Sequence, residues 1–328
     1  LRTPLTAIKN AMDIILSGKA GGMTENIEKF VSMGKRNAIR LSGIINDLLD
    51  ISKIEAGKMD FKFELIHVGP VIEYVKNNLA EVAREKNLVI KYTPSDEDVE
   101  VYADSNRLEQ VLTNLVSNAI KFTPDAGEID ISSKVVNARE LQYDHCFEED
   151  IKRLQGNYLL VCVEDHGIGI ERKDLNHVFD KFAQIENSLS RKVGGSGLGL
   201  PIARQLMESH NGAIWCDSEI NKGSKFYFVI PVANDKSNFV MIKKQLAQRA
   251  RSNGSTIAVI KIKSTNEVIE NLLRENNLLN KTYMTNSLIE KEGAMTTLSL
   301  ILVDGDKPSA EFLKKKIDSV IELSLIHI

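Results

Sequence analysis

The sequence predicts an α+β protein in which a helical hairpin precedes an α/β sandwich domain and a small α/β module. Apolar residues from Leu1 to Ile15 recur alternately three and four positions apart, which indicates a helix that packs in a bundle. Beyond residue 57, strand-like and helical patterns alternate. The 328 residues are 43% hydrophobic and 27% charged, a composition typical of a folded chain with two or three domains.

Charge and composition exclude several classes of function. A net charge of -3 gives no electrostatic basis for binding nucleic acid or an anionic membrane. No apolar run approaches the length of about 18 residues that a membrane helix requires, and no signal peptide is recognisable. We therefore expect a cytoplasmic location, with any membrane anchor of the parent protein in segments before Leu1. The unpaired cysteines Cys146, Cys162 and Cys216 are consistent with a reducing compartment.

The hairpin is predicted over residues 1–57. Gly18 and the Gly21-Gly22 pair end the first helix, and a second helix runs from a cap at Thr24 toward Gly57. Its apolar face is wide and comprises Leu41, Ile44, Ile45, Leu48, Leu49 and Ile51. Because two helices cannot bury such a face, the sequence predicts a four-helix bundle formed by a homodimer.

Residues 58–232 are predicted to form the α/β domain. Strands are expected at Phe61–Val68, Leu88–Tyr92, Glu100–Ala103, Glu128–Val135, Asn157–Val163, Ala213–Asp217 and Lys225–Ile230. Helices are expected over Val71–Val82, Ser105–Lys121 and Pro201–Ser209. We interpret Val136–Gly156 as a surface insertion without assignable chemistry.

Two glycine clusters lie at the ends of predicted elements. The first is Asp165-His-Gly167-Ile-Gly169, after a strand, and the second is Gly195-Ser196-Gly197-Leu198-Gly199, before a helix. Glycine backbones at such places expose unpaired N–H groups, which suit phosphate. The spacing matches neither G-x-x-x-x-G-K-[ST] nor G-x-G-x-x-G. A carboxylate such as Asp165 can accept a hydrogen bond from the adenine amine, although an acid before glycine also forms turns.

One face of the helix over Ser105–Lys121 carries Asn114, Asn118 and Lys121. An asparagine carbonyl can ligate Mg²⁺ without adding negative charge, and a lysine can neutralise phosphate. Taken alone, this spacing is more typical of a solvated helix face.

Five motifs together resemble those of sensor histidine kinases of two-component systems. Leu1-Arg-Thr-Pro-Leu5 matches the end of the motif H-E-L-R-T-P-L, and Asn114 to Thr123 matches the N-box. Phe179-Asp-Lys-Phe182 matches the F-box, and the glycine clusters match the two glycine boxes. The hairpin then resembles the dimerisation and phosphotransfer domain. Residues 58–232 resemble the Bergerat-type ATP-binding domain, which Hsp90 chaperones, type II topoisomerases and MutL proteins share.

The resemblance implies a role for each motif residue, with ATP and Mg²⁺ as ligands. It implies that Asn118 is the magnesium ligand, that Asn114 is a catalytic residue supporting metal or water, and that Lys121 contacts phosphate. It implies that Asp165 recognises adenine beside Gly167 and Gly169, and that Phe179 and Phe182 pack at the base of a nucleotide lid. The lid would include Gly195, Ser196, Gly197, Leu198 and Gly199. Thr3 would occupy the position that orients water for dephosphorylating the partner.

The resemblance also implies the reaction. The kinase would transfer the γ-phosphate of ATP to a histidine immediately before Leu1, absent from these residues, for relay to an aspartate of a response regulator receiver domain. The alternative is a degenerate kinase that acts as a non-catalytic scaffold or as a response-regulator phosphatase. A chaperone or topoisomerase ATPase would require a transducer domain after Val232, which we do not identify.

Residues 239–322 are predicted to form an incomplete α/β module with a regulatory, non-catalytic role. Helices are expected at Phe239–Ser252, Val268–Arg274 and Ala310–Ile321, and strands at Thr256–Ile262 and Leu298–Val303. This order is weakly similar to a diguanylate cyclase domain, with Lys291–Thr297 in place of G-G-[DE]-E-F. A receiver-like domain around Asp304 and Asp306 is the alternative. Residues 323–328 match a translated sequencing adapter, so we expect an artefact there.

Overall fold

A computed structural model describes residues 2–18, 21–144, 147–183 and 196–233, together with the backbone of four strands at 257–265, 287–292, 295–303 and 323–327. Within these residues no helix is both long enough and apolar enough to cross a membrane.

The chain begins with the predicted helical hairpin. Helix α1 spans Arg2–Leu16 and helix α2 spans Glu25–Glu55. The two helices pack closely, since a Cβ on Gly34 would lie 2.7 Å from Met12 Cε, and Lys35 pairs with Asp13 at 2.6 Å. Thr24 occupies the predicted cap position, but its side chain makes no capping hydrogen bond.

A mixed five-stranded sheet forms one layer of the α/β domain. Its strands are β2 (Val89–Thr93), β4 (Glu128–Asn137), β5 (Asn157–Asp165), β6 (Ala213–Glu219) and β7 (Gly223–Pro231). Their order is β2-β4-β5-β7-β6, in which β2 and β4 are parallel and the other neighbours antiparallel. Helices α3 (Val68–Glu85), α4 (Ser105–Phe122) and α6 (Gly199–Ser209) form the second layer. The predicted α/β sandwich is confirmed.

Helix α4 is the centre of the core. The predicted stripe of Leu108, Leu112, Leu115 and Ala119 is buried between the sheet and the other helices. Asp104 caps the helix, because its Oδ1 accepts hydrogen bonds from the backbone N–H groups of Asn106 and Arg107 at 3.0 and 3.1 Å. Such a cap stabilises a helix by about 1 kcal/mol.

The strand predicted over Phe61–Val68 is shorter in the structure. Strand β1 spans only Glu64–His67 and pairs antiparallel with β3 (Glu100–Ala103). The preceding Lys62 N–H donates to the Asp104 carboxylate at 2.8 Å instead of to a strand. Phe61 and Phe63 stack at 5.4 Å between their ring centroids in the core.

The interpretation of residues 136–156 as a surface insertion is wrong. The segment ends β4, forms a 3₁₀ turn at Ala138–Glu140 and a short helix α5 at Glu148–Lys152. It buries five apolar side chains: Val136, Leu141, Phe147, Ile151 and Leu154. The sequence did not indicate this packing, because the apolar residues follow no regular period among the charged ones. Residues 145 and 146 lie outside the described part.

The last four strands form a separate antiparallel sheet. Strands β8 (Ile257–Thr265), β9 (Ser287–Glu292), β10 (Met295–Val303) and β11 (Leu323–His327) have the order β11-β8-β10-β9. Strands β8 and β10 were predicted, whereas β9 and β11 were not. The three helices predicted for this module lie outside the described residues.

Candidate functional site

A cavity of about 360 Å³ opens between α4, the end of β5 and the start of α6. Residues from the separate sequence motifs line it together: Asn114, Asn118, Lys121, Asp165, Gly169, Ser196, Gly197 and Gly199. Apolar walls are added by Ile168, Ile170, Val178, Leu200, Pro201 and Phe226. The cavity thus combines an apolar part with amide, hydroxyl, carboxylate and ammonium groups, a combination typical of a small-molecule site.

Asp165 ends β5 with its side chain in the cavity wall. Its Oδ1 accepts a hydrogen bond from the Gly167 N–H at 2.9 Å, and only 4% of the residue is exposed. Burial raises the pKa of this carboxyl to about 6, against the hydrogen bonds from the backbone of Gly167 and Ser224, which lower it. A hydrogen bond donated by a ligand favours the charged form of such a carboxylate, so ligand binding and the ionisation of Asp165 should be coupled.

The glycines of the first cluster are required by close backbone approaches. A Cβ on Gly167 would lie 2.6 Å from the Phe122 carbonyl oxygen. Gly169 has a φ of +68°, and a Cβ there would lie 2.0 Å from the Glu219 carbonyl oxygen. A side chain at Gly167 would therefore clash with the end of α4, and one at Gly169 would clash with the β6–β7 turn.

Helix α4 presents the three predicted polar residues to the cavity. Asn114 Nδ2 donates to the Gly199 carbonyl oxygen at 2.9 Å, which orients its amide and joins α4 to the start of α6. Asn118 and Lys121 lie one and two turns further along the same helix. Burial, followed by the nearby Arg40 cation, lowers the pKa of the Lys121 ammonium group. The ammonium group lies 4.6 Å from the centroid of the Phe122 ring, and a partly buried cation of this kind is a good partner for a polyanion.

A second hydrogen bond joins α4 and α6 at their other ends. The Asp104 N–H donates to His210 Nε2 at 3.1 Å, and His210 Nδ1 donates to the Leu206 carbonyl oxygen at 2.7 Å. The buried imidazole therefore acts as a neutral bridge between the two helices. Sequence analysis did not identify this residue, because its partners lie far away in the chain.

The second glycine cluster is described from Ser196 onward, and Gly195 lies outside the described residues. Ser196 and Gly197 line the cavity, whereas the Leu198 side chain is fully buried beside it. Gly197 has a φ of +68°, and its carbonyl oxygen accepts a hydrogen bond from the Phe182 N–H at 3.0 Å. Gly199 begins α6, two residues earlier than predicted.

The two F-box aromatic residues have different environments. Phe179 is buried and makes edge contacts with Phe147 and Phe226, at 5.9 and 6.5 Å between ring centroids. Phe182 is 59% exposed and has a positive φ of 63°, so the expectation that both rings pack in the base of the lid is wrong for it. Its backbone contacts the second glycine cluster through the hydrogen bond to Gly197.

Thr3 and Asp47 both belong to the helical hairpin, on α1 and α2 respectively. Thr3 lies in the first turn of α1, and its side chain is outside the described part. Asp47, on α2 of the hairpin, lines the cavity although no sequence motif pointed to it. Contacts between residues this far apart leave no local spacing that a sequence pattern can reveal.

Comparisons with known proteins agree with this geometry. Residues 1–57 match the family model of the His Kinase A (phospho-acceptor) domain. Residues 103–234 match the model of the histidine kinase-, DNA gyrase B- and HSP90-like ATPase. The second match contains all the residues predicted to bind nucleotide.

Relatives and a solved structure cover both domains. The chain is 30% identical over 238 residues to the sensor histidine kinase WalK of Bacillus subtilis, covering 73% of this chain and 36% of the relative. It is 34% identical over 233 residues to the autoinducer 2 sensor kinase/phosphatase LuxQ of Vibrio vulnificus, covering 71% of this chain and 25% of the relative.

The crystal structure of full-length ShkA in complex with AMPPNP has the same fold over 71% of this chain and 44% of its own, with a TM-score of 0.55 and 23% identity. The chain spans only 36% and 25% of the length of the two curated relatives. Because the hairpin and the ATPase domain both match, in this order, the chain belongs to the sensor histidine kinase family of two-component systems.

Proposed function

We propose that this chain binds Mg-ATP in the cavity and transfers its γ-phosphoryl group to a histidine that precedes Leu1 in the family motif. The observation that carries the proposal is the convergence of Asn118, Lys121 and Asp165 with the second glycine cluster on one cavity. An acidic hydrogen-bond acceptor at an apolar end and a cation at the other end suit a purine and a polyphosphate respectively.

The adenine would bind at Asp165. Its carboxylate accepts a hydrogen bond from the exocyclic amine, and Ile170, Val178 and Phe226 supply apolar walls for the ring. Gly167 and Gly169 keep the backbone close enough for this contact. The apolar environment makes the hydrogen bond more selective, because water competes poorly there.

The phosphates would bind at the opposite end. Lys121 supplies a partly buried positive charge, and Ser196 supplies a hydroxyl. Gly197 and Gly199 allow the chain to approach the phosphates at the N-terminus of α6, whose backbone N–H groups favour anions. Leu198 anchors this segment by burying its side chain in the core.

The donor set fits magnesium that arrives with the nucleotide. The described residues contain no group of three or more His, Cys, Asp or Glu side chains arranged to hold a metal by themselves. Mg²⁺ commonly uses one or two protein oxygens together with phosphate oxygens and water, and the side chains of Asn118 and Asn114 offer neutral oxygens in the cavity. When bound, the ion would neutralise charge on the phosphate oxygens.

In the transfer step, a ring nitrogen of the acceptor histidine attacks the γ-phosphorus with its lone pair. The bond from the γ-phosphorus to the bridging oxygen breaks, and ADP leaves with that electron pair. Asn114 orients the site through its bond to Gly199, and Lys121 holds the phosphates. The phosphoryl group would then pass to an aspartate of a response regulator, and Thr3 stands at the family position for the reverse, dephosphorylating activity.

The domain boundaries form part of the proposal. We assign residues 1–57 to a homodimeric hairpin, 58–232 to the ATP-binding domain and 239–322 to a non-catalytic regulatory module. The antiparallel order β11-β8-β10-β9 supports the cyclase-like interpretation over the receiver-like one, since receiver domains have a parallel sheet.

The test restores the motif by adding His-Glu before Leu1. Incubation with radiolabelled Mg-ATP should then yield acid-labile, base-stable phosphate on that histidine, while the original chain should bind ATP without labelling itself. Asn118→Ala in the extended protein should abolish both labelling and Mg-dependent binding. If the extended protein binds ATP and is never labelled, the kinase proposal is wrong and a scaffold or phosphatase role takes its place.

A further inference from the structure

Asp47 of the hairpin reaches the cavity of the ATP-binding domain. It lines the same space as Asn118, Lys121 and Gly197, although it belongs to α2. Its Oδ2 accepts a hydrogen bond from the Ser196 hydroxyl at 3.2 Å. A carboxylate from one domain therefore lies among the groups that another domain presents to phosphate.

The contact with Asp47 occupies one donor of the second glycine cluster, the Ser196 hydroxyl. Ser196 Oγ donates to Asp47 and accepts from the Leu198 N–H at 3.2 Å. A phosphate bound in the cavity would use the same hydroxyl, because hydroxyl groups are among its usual partners. A carboxylate and a phosphate both offer this hydroxyl a negatively charged oxygen.

Neighbouring acids on α2 hold the helix at this position. Asp50 accepts a hydrogen bond from Gln110 Nε2 at 3.1 Å and pairs with Arg107 at 3.5 Å, both on α4. Glu55 pairs with Lys181, which follows the buried Phe179. The docking of α2 thus involves contacts with α4, with the F-box and with the second glycine cluster.

The electrostatic environment of Asp47 is unfavourable for its charge. Burial raises the pKa of this carboxyl, the Ser196 hydrogen bond lowers it, and the nearby Asp50 raises it further. A triphosphate placed in the same cavity would add negative charge beside it. The two anions would repel each other, so each should bind less well in the presence of the other.

We propose that Asp47 is a specificity-determining residue that competes with the nucleotide phosphates for the second glycine cluster. This proposal rests on the proposed binding of ATP in the cavity. Docking of α2 and binding of a triphosphate then exclude each other in part, and the reciprocity of linked equilibria requires that ATP weaken the docking of α2. Adenosine, which lacks phosphate, should be indifferent to Asp47.

The test compares ligands that differ in phosphate number. Affinities for adenosine, ADP and ATP with Mg²⁺ are measured by calorimetry on the full chain, on Asp47→Asn and on Asp13→Asn. The Asn side chain keeps the shape and the acceptor oxygen of Asp47 but removes its charge. Asp13 is an acid on α1 outside the cavity lining, so its variant controls for the change in net charge.

We expect Asp47→Asn to bind ATP about tenfold more tightly than the original chain does. Its affinity for ADP should increase less, and its affinity for adenosine should not change. Asp13→Asn should match the original chain for all three ligands. Equal gains for adenosine and ATP, or no gain for ATP, would overturn the proposal. Weaker ATP binding would also overturn it, because Asp47 would then support the nucleotide or its metal.

A measurement on the unaltered chain provides a second readout. Hydrogen exchange of the α2 amides around Asp47 should become faster when ATP is added and should not change with adenosine. Unchanged exchange with saturating ATP would contradict the competition. If neither the original chain nor Asp47→Asn binds adenosine or ATP, the proposed ATP-binding function itself fails, an outcome distinct from ATP binding without an Asp47 effect.

Discussion

At the scale of single residues, Asp165 shows how a binding role opposes stability. Its carboxyl is almost fully buried, and burial raises its pKa from the usual 3.8 to about 6. The folded state therefore binds more protons than the unfolded state between these two values. The stability that the protonated carboxyl confers is lost as pH rises through this window. At neutral pH, the buried charge of Asp165 therefore lowers the free energy of unfolding.

We predict that Asp165→Asn stabilises the ligand-free domain at pH 8. The upper limit of this stabilisation is about 3 kcal/mol, because each unit of difference between the folded and unfolded pKa corresponds to about 1.4 kcal/mol. The gain should vanish near pH 4, where the carboxyl is neutral in the folded protein. Urea unfolding followed by the fluorescence of Trp215, which is buried in β6, reports on this domain. Equal pH dependence of the variant and the original chain would refute the explanation.

The same carboxyl predicts a pH dependence for adenosine binding. Since the charged form accepts best from the exocyclic amine, binding should favour deprotonation of Asp165. Affinity should fall as pH decreases below about 6, by at most about tenfold per pH unit. Adenosine avoids the titration of the ATP phosphates, so calorimetry at pH 5 and pH 7 isolates Asp165. A constant affinity between these values would contradict the assignment of this residue to the adenine.

Sequence analysis was most successful where function imposes a local spacing. Asn114, Asn118 and Lys121 were grouped because a helix places them on one side, and the glycine clusters because they flank a strand and a helix. The contributions of Asp47 and His210 could not be predicted in this way. Their partners are 149 and 106 positions away, and a contact at such a distance depends on the packing of whole elements.

At the scale of elements, the segment around α5 has a structural role that its sequence conceals. Phe147 packs against the edge of Phe179, and Asp150 pairs with Arg204 of α6 at 2.7 Å. The segment therefore contacts both the F-box and the helix that begins at the candidate phosphate site. A long connection with a charged sequence looks solvent-exposed when read residue by residue, although a few irregularly spaced apolar side chains are enough to anchor it.

We predict that Phe147→Ala destabilises the ATP-binding domain by about 3–5 kcal/mol, the usual cost of truncating a buried phenylalanine. The exposed Glu149 lies in the same short helix, and Glu149→Ala should change stability by less than about 0.5 kcal/mol. Trp215 fluorescence in urea again provides the measurement. Near-neutral results for both variants would restore the interpretation of this segment as a surface insertion.

At the scale of the whole molecule, the hairpin and the sandwich bury their apolar surfaces to different degrees. Helix and strand residues of the sandwich pack into one core. The apolar periodicity of the sequence predicted these elements, because each amphipathic element packs against a partner within the chain. The hairpin instead exposes large apolar side chains: Ile8, Ile14, Ile27, Phe30, Met33, Ile39, Leu41, Leu48 and Leu49. Of the wide apolar face predicted for α2, Ile51 is buried and Ile44 packs against the core, whereas Leu41, Leu48 and Leu49 lack a cover within the described chain.

This exposed face predicts a dimer that depends on the hairpin. Phe30 is 67% exposed and Leu41 is 48% exposed, and a second hairpin can cover both in a four-helix bundle. In analytical ultracentrifugation the chain should sediment at twice its mass of 36.6 kDa, and the double substitution Phe30→Glu/Leu41→Glu should shift it to the monomer. Val82→Glu is the control, because Val82 is equally exposed at 48% but lies on α3, outside the hairpin. A monomeric original chain, or dissociation caused equally by Val82→Glu, would show that the hairpin face is not the dimer interface.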